Sequence, residues 1–66
     1  MTLHEYLQSR EVAATRPPFY ALVMAAMVGA DSHNAELLQQ AFPEVWKELQ
    51  ARYNAPGGRL PSDGGG

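Results

Sequence analysis

His33 and Glu36 stand three residues apart in this 66-residue chain, with Asp31 two positions before the histidine. An imidazole nitrogen and carboxylate oxygens are the donors from which zinc sites are built. The spacing is common, however, and no third or fourth ligand accompanies it, so the expectation is a solvated helix start with no metal. His4 and Glu5 are adjacent and therefore point to different sides of a helix, which rules them out as an acid–base pair within one chain. A nucleophile would have to come from Ser9 or Ser32 meeting His4 or His33 across the fold or an oligomer interface, and nothing in the pattern demands it. With no nucleophile elbow, Walker loop or dinucleotide fingerprint, the chain reads as a binding protein with no catalytic residues and no cofactor.

Anion chemistry is the better-supported alternative. Arg10 and Arg16 flank the start of an expected second helix, whose N-terminal dipole also favours negative charge. Gly57-Gly58-Arg59 offers backbone N–H groups beside a guanidinium. If a nucleotide binds, these arginines would pair with phosphate, and Tyr20 or Tyr53 would stack on the base. Arg52 beside Tyr53 also has the composition of a protein-binding hot spot. The candidate partner or ligand residues are thus Arg10, Arg16, Tyr20, Arg52, Tyr53 and Arg59. Five Lys/Arg against seven Asp/Glu give a formal charge of -2 with no basic stripe, which disfavours nucleic acid.

The elements that would position these groups are helical. Thr2-Leu3-His4-Glu5 has the capping-box pattern, and Leu3, Tyr6, Leu7, Arg10 and Ala14 recur at helical spacing, giving a first helix over Leu3–Ala14. Arg16-Pro17-Pro18 ends it. A second helix is expected from about Pro18 to Val28, with Gly29 terminating it at positive φ. Asp31-Ser32 caps a third. Leu37, Leu38, Ala41, Phe42, Val45, Trp46, Leu49 and Tyr53 continue an apolar stripe through Pro43, where the helix either kinks or breaks. A break at Phe42 is favoured, because Pro43-Glu44 has the proline and acid of a helix start. Trp46 and Tyr53, seven apart, are expected to share a packed face. The expected domain is 1–54, followed by a flexible Gly/Pro-rich tail over 55–66.

The run Phe19–Ala30 is unbroken apolar sequence. It would span about 18 Å as a helix, against about 30 Å for a bilayer core, so no membrane span is expected. It also begins behind Glu5, Arg10, Glu11 and Arg16, unlike a signal peptide. A soluble cytoplasmic protein is therefore expected. A chain this short, without cysteine, has little with which to surround such a helix. The expectation is an all-α, compact bundle of three to four short helices that forms a homo-oligomer through its apolar central helix. Phe19, Leu22, Met24, Ala25, Met27 and Gly29 are the interface residues, with Ala21, Ala25 and Gly29 making one face nearly smooth.

The stretch Phe42-Pro43-Glu44-Val45-Trp46-Lys47-Glu48-Leu49-Gln50-Ala51-Arg52-Tyr53-Asn54-Ala55-Pro56-Gly57-Gly58, with Ala30-Asp31 and Asn34 upstream, resembles small bacteriophage and prophage accessory proteins with an FPxxWxELxxRYxAPGG-like ending. The resemblance covers about half of the chain. It implies a phage-encoded protein in the host cytoplasm, where chains of this size bind host machinery, inhibit defence systems or act as sponges for nucleotide signals. Together with the composition it favours occlusion of a protein partner by an oligomer. A nucleotide-sequestering oligomer is the alternative. A helix-turn-helix regulator is a lesser one, since the would-be recognition helix His33–Phe42 contains no Lys or Arg.

Overall fold

The computed structural model describes residues 1–65, and all four of its longer elements are helices: α1 (Leu3–Ala14), α2 (Phe19–Gly29), α3 (Ser32–Ala41) and α4 (Pro43–Tyr53). No strand occurs among the described residues. Each helix start follows from a local hydrogen bond or a proline. Thr2 caps α1 by accepting from the Glu5 N–H at 3.1 Å. Only half of the capping box forms, because the Glu5 carboxylate faces the terminal amine of Met1 at 3.9 Å. Asp31 caps α3, accepting from the Asn34 N–H at 2.8 Å.

Pro43 opens a separate helix, as its sequence context indicates. Phe42 leaves helical geometry at φ -133°, ψ 63°, and its carbonyl accepts the Trp46 N–H at 3.0 Å. The missing proline N–H costs nothing at this first position. Two boundaries differ from expectation. Pro18 is the extended cap of α2 (ψ 147°) and not its first helical residue. Gly29 stays helical, and the turn is made by extended Ala30 (φ -79°, ψ 147°) leading into the Asp31 cap. The chain leaves α2 through an extended step, so the positive φ expected at Gly29 is not required. The left-handed residue lies elsewhere: Arg16, at φ 53°, closes α1 by donating its N–H to the Ala13 carbonyl at 3.0 Å.

Helices α2, α3 and α4 pack against one another in all three pairings, while among the described residues α1 packs against no other element. The core is correspondingly small. Val23 and Met27, one turn apart on α2, are the buried hydrophobic residues, at 7 % and 4 % exposure. Around them, Leu38, Phe42, Val45, Trp46 and Leu49 are half-buried. Phe42 meets Phe19 edge-to-face at 6.0 Å, joining the start of α2 to the α3–α4 break. The projecting α1 lengthens the chain to 43 × 27 × 18 Å with a radius of gyration of 13.9 Å. About 11 Å is usual for a domain of this length.

Candidate interaction surface

Only one side of α2 is used by the core. Val23 and Met27 face inward, whereas Ala21, Leu22, Ala25, Val28 and Gly29 lie on the opposite arc and are exposed. Every residue of that outer arc is apolar or glycine. Two grooves flank it. The wider one runs between α2 and α3 over a floor of Ala26, Gly29 and Ala30, with Leu37 and Leu38 rising from α3; its volume is about 640 Å³. Small floor residues allow another backbone to come close. The narrower groove, about 350 Å³, lies between α2 and α4 and is lined by Met27, Val28, Trp46, Leu49 and Tyr53.

Helix α1 adds a further unpartnered apolar surface. Leu3, Tyr6 and Leu7 lie on one side of it and are 71 %, 59 % and 46 % exposed. Eleven large hydrophobic side chains are exposed across the described residues, against two buried, so the apolar surface greatly exceeds the core. That ratio inverts what a self-sufficient small domain shows.

The interface residues expected from the sequence separate into two groups. Leu22, Ala25 and Gly29 are exposed, and Met24 is half-buried. Met27 is a correction: it points into the chain's own core, because α2 turns the Val23–Met27 side toward α3 and α4. Phe19 is 60 % exposed, yet its ring lies edge-on to those of Tyr20 and Phe42, with centroids 5.2 and 6.0 Å away. Trp46 and Tyr53 share a groove, but Tyr53 is 86 % exposed and stands at its rim, outside the packed face expected for it.

The anion-binding residues do not converge. Arg52 is engaged by the chain itself. Its guanidinium makes a two-pronged contact with Asp63, one arm measuring 2.8 Å, and donates to the Gly58 carbonyl at 2.9 Å. Glu48 lies 3.6 Å from its Nε. Asp63 also accepts the Leu60 N–H at 3.0 Å. The Arg52 hydrogen bonds, reinforced by that amide, hold the Asp63 carboxyl well below the ordinary carboxylate range; Asp63 in turn raises Arg52 above the usual arginine value.

Residues 55–63, read from the sequence as a flexible tail, thus fold back along the end of α4. They form a 3-10 turn at Pro56–Gly58 and enter a second at Pro61–Gly65. Gly57 and Gly58 both take positive φ (61° and 71°), so this Pro-Gly-Gly turn depends on glycine. Gly66, the end of the expected tail, lies outside the described residues.

Among the described residues Arg10, Arg16 and Arg59 make no ion pair. None of them lines either α2 groove, and neither does Tyr20. No three His, Asp or Glu side chains among the described residues come together as a metal set. Among the described residues no helix is long and apolar enough to cross a membrane.

Compared with protein-family models, curated proteins and solved structures, the chain matches none. Sequence reasoning missed three contributors to the surface. Ala26 and Leu37, which shape the wider groove, looked like ordinary helix-face residues. The Arg52–Asp63 latch was legible only as an acid following an arginine across a Pro-Gly-Gly turn.

Proposed function

We propose that this chain is a self-assembling helical protein that acts by binding, its assembled surface occluding a protein partner. The observation that supports this is the excess of exposed apolar side chains over a two-residue buried core. A single chain with so little burial has little to oppose its conformational entropy. Assembly supplies the missing cover, and grooves with aromatic and aliphatic walls are the usual seat of binding energy. The resemblance of the Phe42–Gly58 stretch to phage accessory proteins makes a host protein the favoured partner and the host cytoplasm the favoured setting.

Nucleotide sequestration is the weaker reading, because the unpaired arginines and the apolar grooves lie apart. Native mass spectrometry of protein purified gently from its expression host separates the two. Integer multiples of the chain mass with no adduct are expected. A clean monomer overturns self-assembly. A few hundred daltons of added mass per site overturns the choice of a protein partner in favour of the nucleotide.

A further inference from the structure

The solvent-accessible surface of the chain is 5558 Å² at 7.2 kDa. A folded monomer of this mass exposes about 4,100 Å². The excess is about 1,400 Å² per chain; were a second copy to cover it, about 2,800 Å² would be removed from the pair, within the range of obligate homodimers. A second copy of this chain is therefore an occupant of sufficient size.

The connector between α1 and α2 indicates which segment makes the cover. Thr15-Arg16-Pro17-Pro18 contains two consecutive prolines with fixed φ, and Pro18 is extended at φ -58°, ψ 147°. Arg16 is left-handed just before them. This short, stiff link carries α1 away from α2–α4, and α1 contacts none of those helices. A 12-residue helix without tertiary support is marginal in water, so α1 requires a surface to dock on. Its side chains suit one surface in particular. Leu3, Tyr6 and Leu7 form a ridge at helical spacing, and the α2–α3 groove is apolar except for Asn34. The lengths also match, since 12, 11 and 10 residues make helices of about 18, 16 and 15 Å.

We infer that the protein is an arm-exchanged dimer in which α1 of each chain seats its Leu3–Tyr6–Leu7 ridge in the α2–α3 groove of the other. The exchange is reciprocal, so one two-fold axis closes the assembly and leaves no α2–α3 groove free to take a further α1 and propagate a filament. This inference rests on the self-assembly reading above and specifies its geometry.

The chain has no cysteine, which permits a direct test. Leu7→Cys and Leu37→Cys are made in separate, mass-distinguishable full-length chains, mixed, allowed to exchange and oxidised gently. Intact mass then counts the disulfide-linked pairs. The mixed Leu7→Cys/Leu37→Cys pair is expected to exceed either like pair at least fivefold. Sedimentation of the untagged parent is run in parallel. A dimer without preference for the mixed disulfide overturns arm exchange and leaves self-assembly standing. A monomer at tens of micromolar overturns both.

Should the cysteine chains fail to fold, charge variants carry the same question. Leu7→Glu is expected to weaken dimerisation at least tenfold. Val12→Glu, on the opposite side of α1 and also exposed, is expected to leave it within threefold. Equal effects of the two overturn the docking face.

Discussion

Dilution should melt α1 before anything else. α1 contributes 12 of the 44 residues in the four helices, whose lengths are 12, 11, 10 and 11. Within one chain no packing against another element supports it among the described residues. Helix nucleation carries a factor of ~10⁻³, equivalent to about 4 kcal/mol, which short helices recover only slowly through propagation. The Thr2 cap returns about 1 kcal/mol. The isolated arm therefore does not persist as a helix once its docking surface is lost. Far-UV circular dichroism at 222 nm, followed through the dissociation range defined by sedimentation, should lose at least about a quarter of its helical signal. A larger loss is expected if α2–α4 also loosens, since among the described residues only Val23 and Met27 of its core are buried. Dissociation to monomers with unchanged ellipticity per residue would refute the reasoning, because α1 would then be stable without a partner.

Met27→Ala removes one of the two buried side chains and should cost about 2–4 kcal/mol in urea denaturation at fixed protein concentration; a loss under 1 kcal/mol would mean that the core lies elsewhere. Arg16→Gly relieves a left-handed residue at the end of α1 and should stabilise by about 1 kcal/mol, read as a Tm several degrees higher. A lower Tm would show that the Arg16 side chain contributes more than its backbone strain costs. Because the Asp63 carboxyl is depressed in the folded chain, its latch contributes fully above the ordinary value of about 3.9. That contribution fades as pH falls from there toward the lower folded value. The Leu60 amide resonance should hold steady through the ordinary carboxylate range and shift only well below it, and Asp63→Asn should abolish that shift; a midpoint at the ordinary value in the parent chain would show that the latch does not form. Tyr53→Ala, at a rim position 86 % exposed, should change stability by less than about 0.5 kcal/mol and leave the oligomeric state intact. Sedimentation and a thermal melt check both points.

Local signals made the helices legible. Thr2 and Asp31 each fix a start by accepting an N–H three residues on, and Pro43 by standing at the first helical position, so the α1 span, the α3 cap and the break at Phe42 could be read directly. Gly29 misled because a glycine after an apolar run is a frequent left-handed stop, yet here the following Ala30 is extended. The surface was less legible than the elements. Met27 and Met24 are equivalent in composition, and only the packing angle of α2 against α3 and α4 makes Met27 core. Arg52 appeared as a free hot-spot residue, because a partner eleven positions later becomes adjacent only after the Pro-Gly-Gly turn. The spacing of Leu3, Tyr6 and Leu7 announced an apolar face but could not indicate that their own chain leaves it uncovered.

Arm exchange also constrains where a protein partner would sit. A docked α1 covers the α2–α3 groove, and the outer arc of Ala21, Ala25 and Val28 lies beside it, available to bring the two α2 helices together. The groove left open is then the narrower one, with Trp46 and Leu49 at its base and Tyr53 at its rim. Its position is not incidental to the latch. Arg52 directly precedes Tyr53, and its bonds to Gly58 and Asp63 hold the turn that follows α4. Fixing that turn restricts the end of α4 from which Tyr53 projects, and a rigid aromatic loses less entropy on binding than a mobile one. Assembly through α1 and recognition through α4 would thus use opposite sides of α2. On this arrangement the dimer presents two identical aromatic-rimmed grooves, so avidity toward a repeated or dimeric partner is available without any further contact.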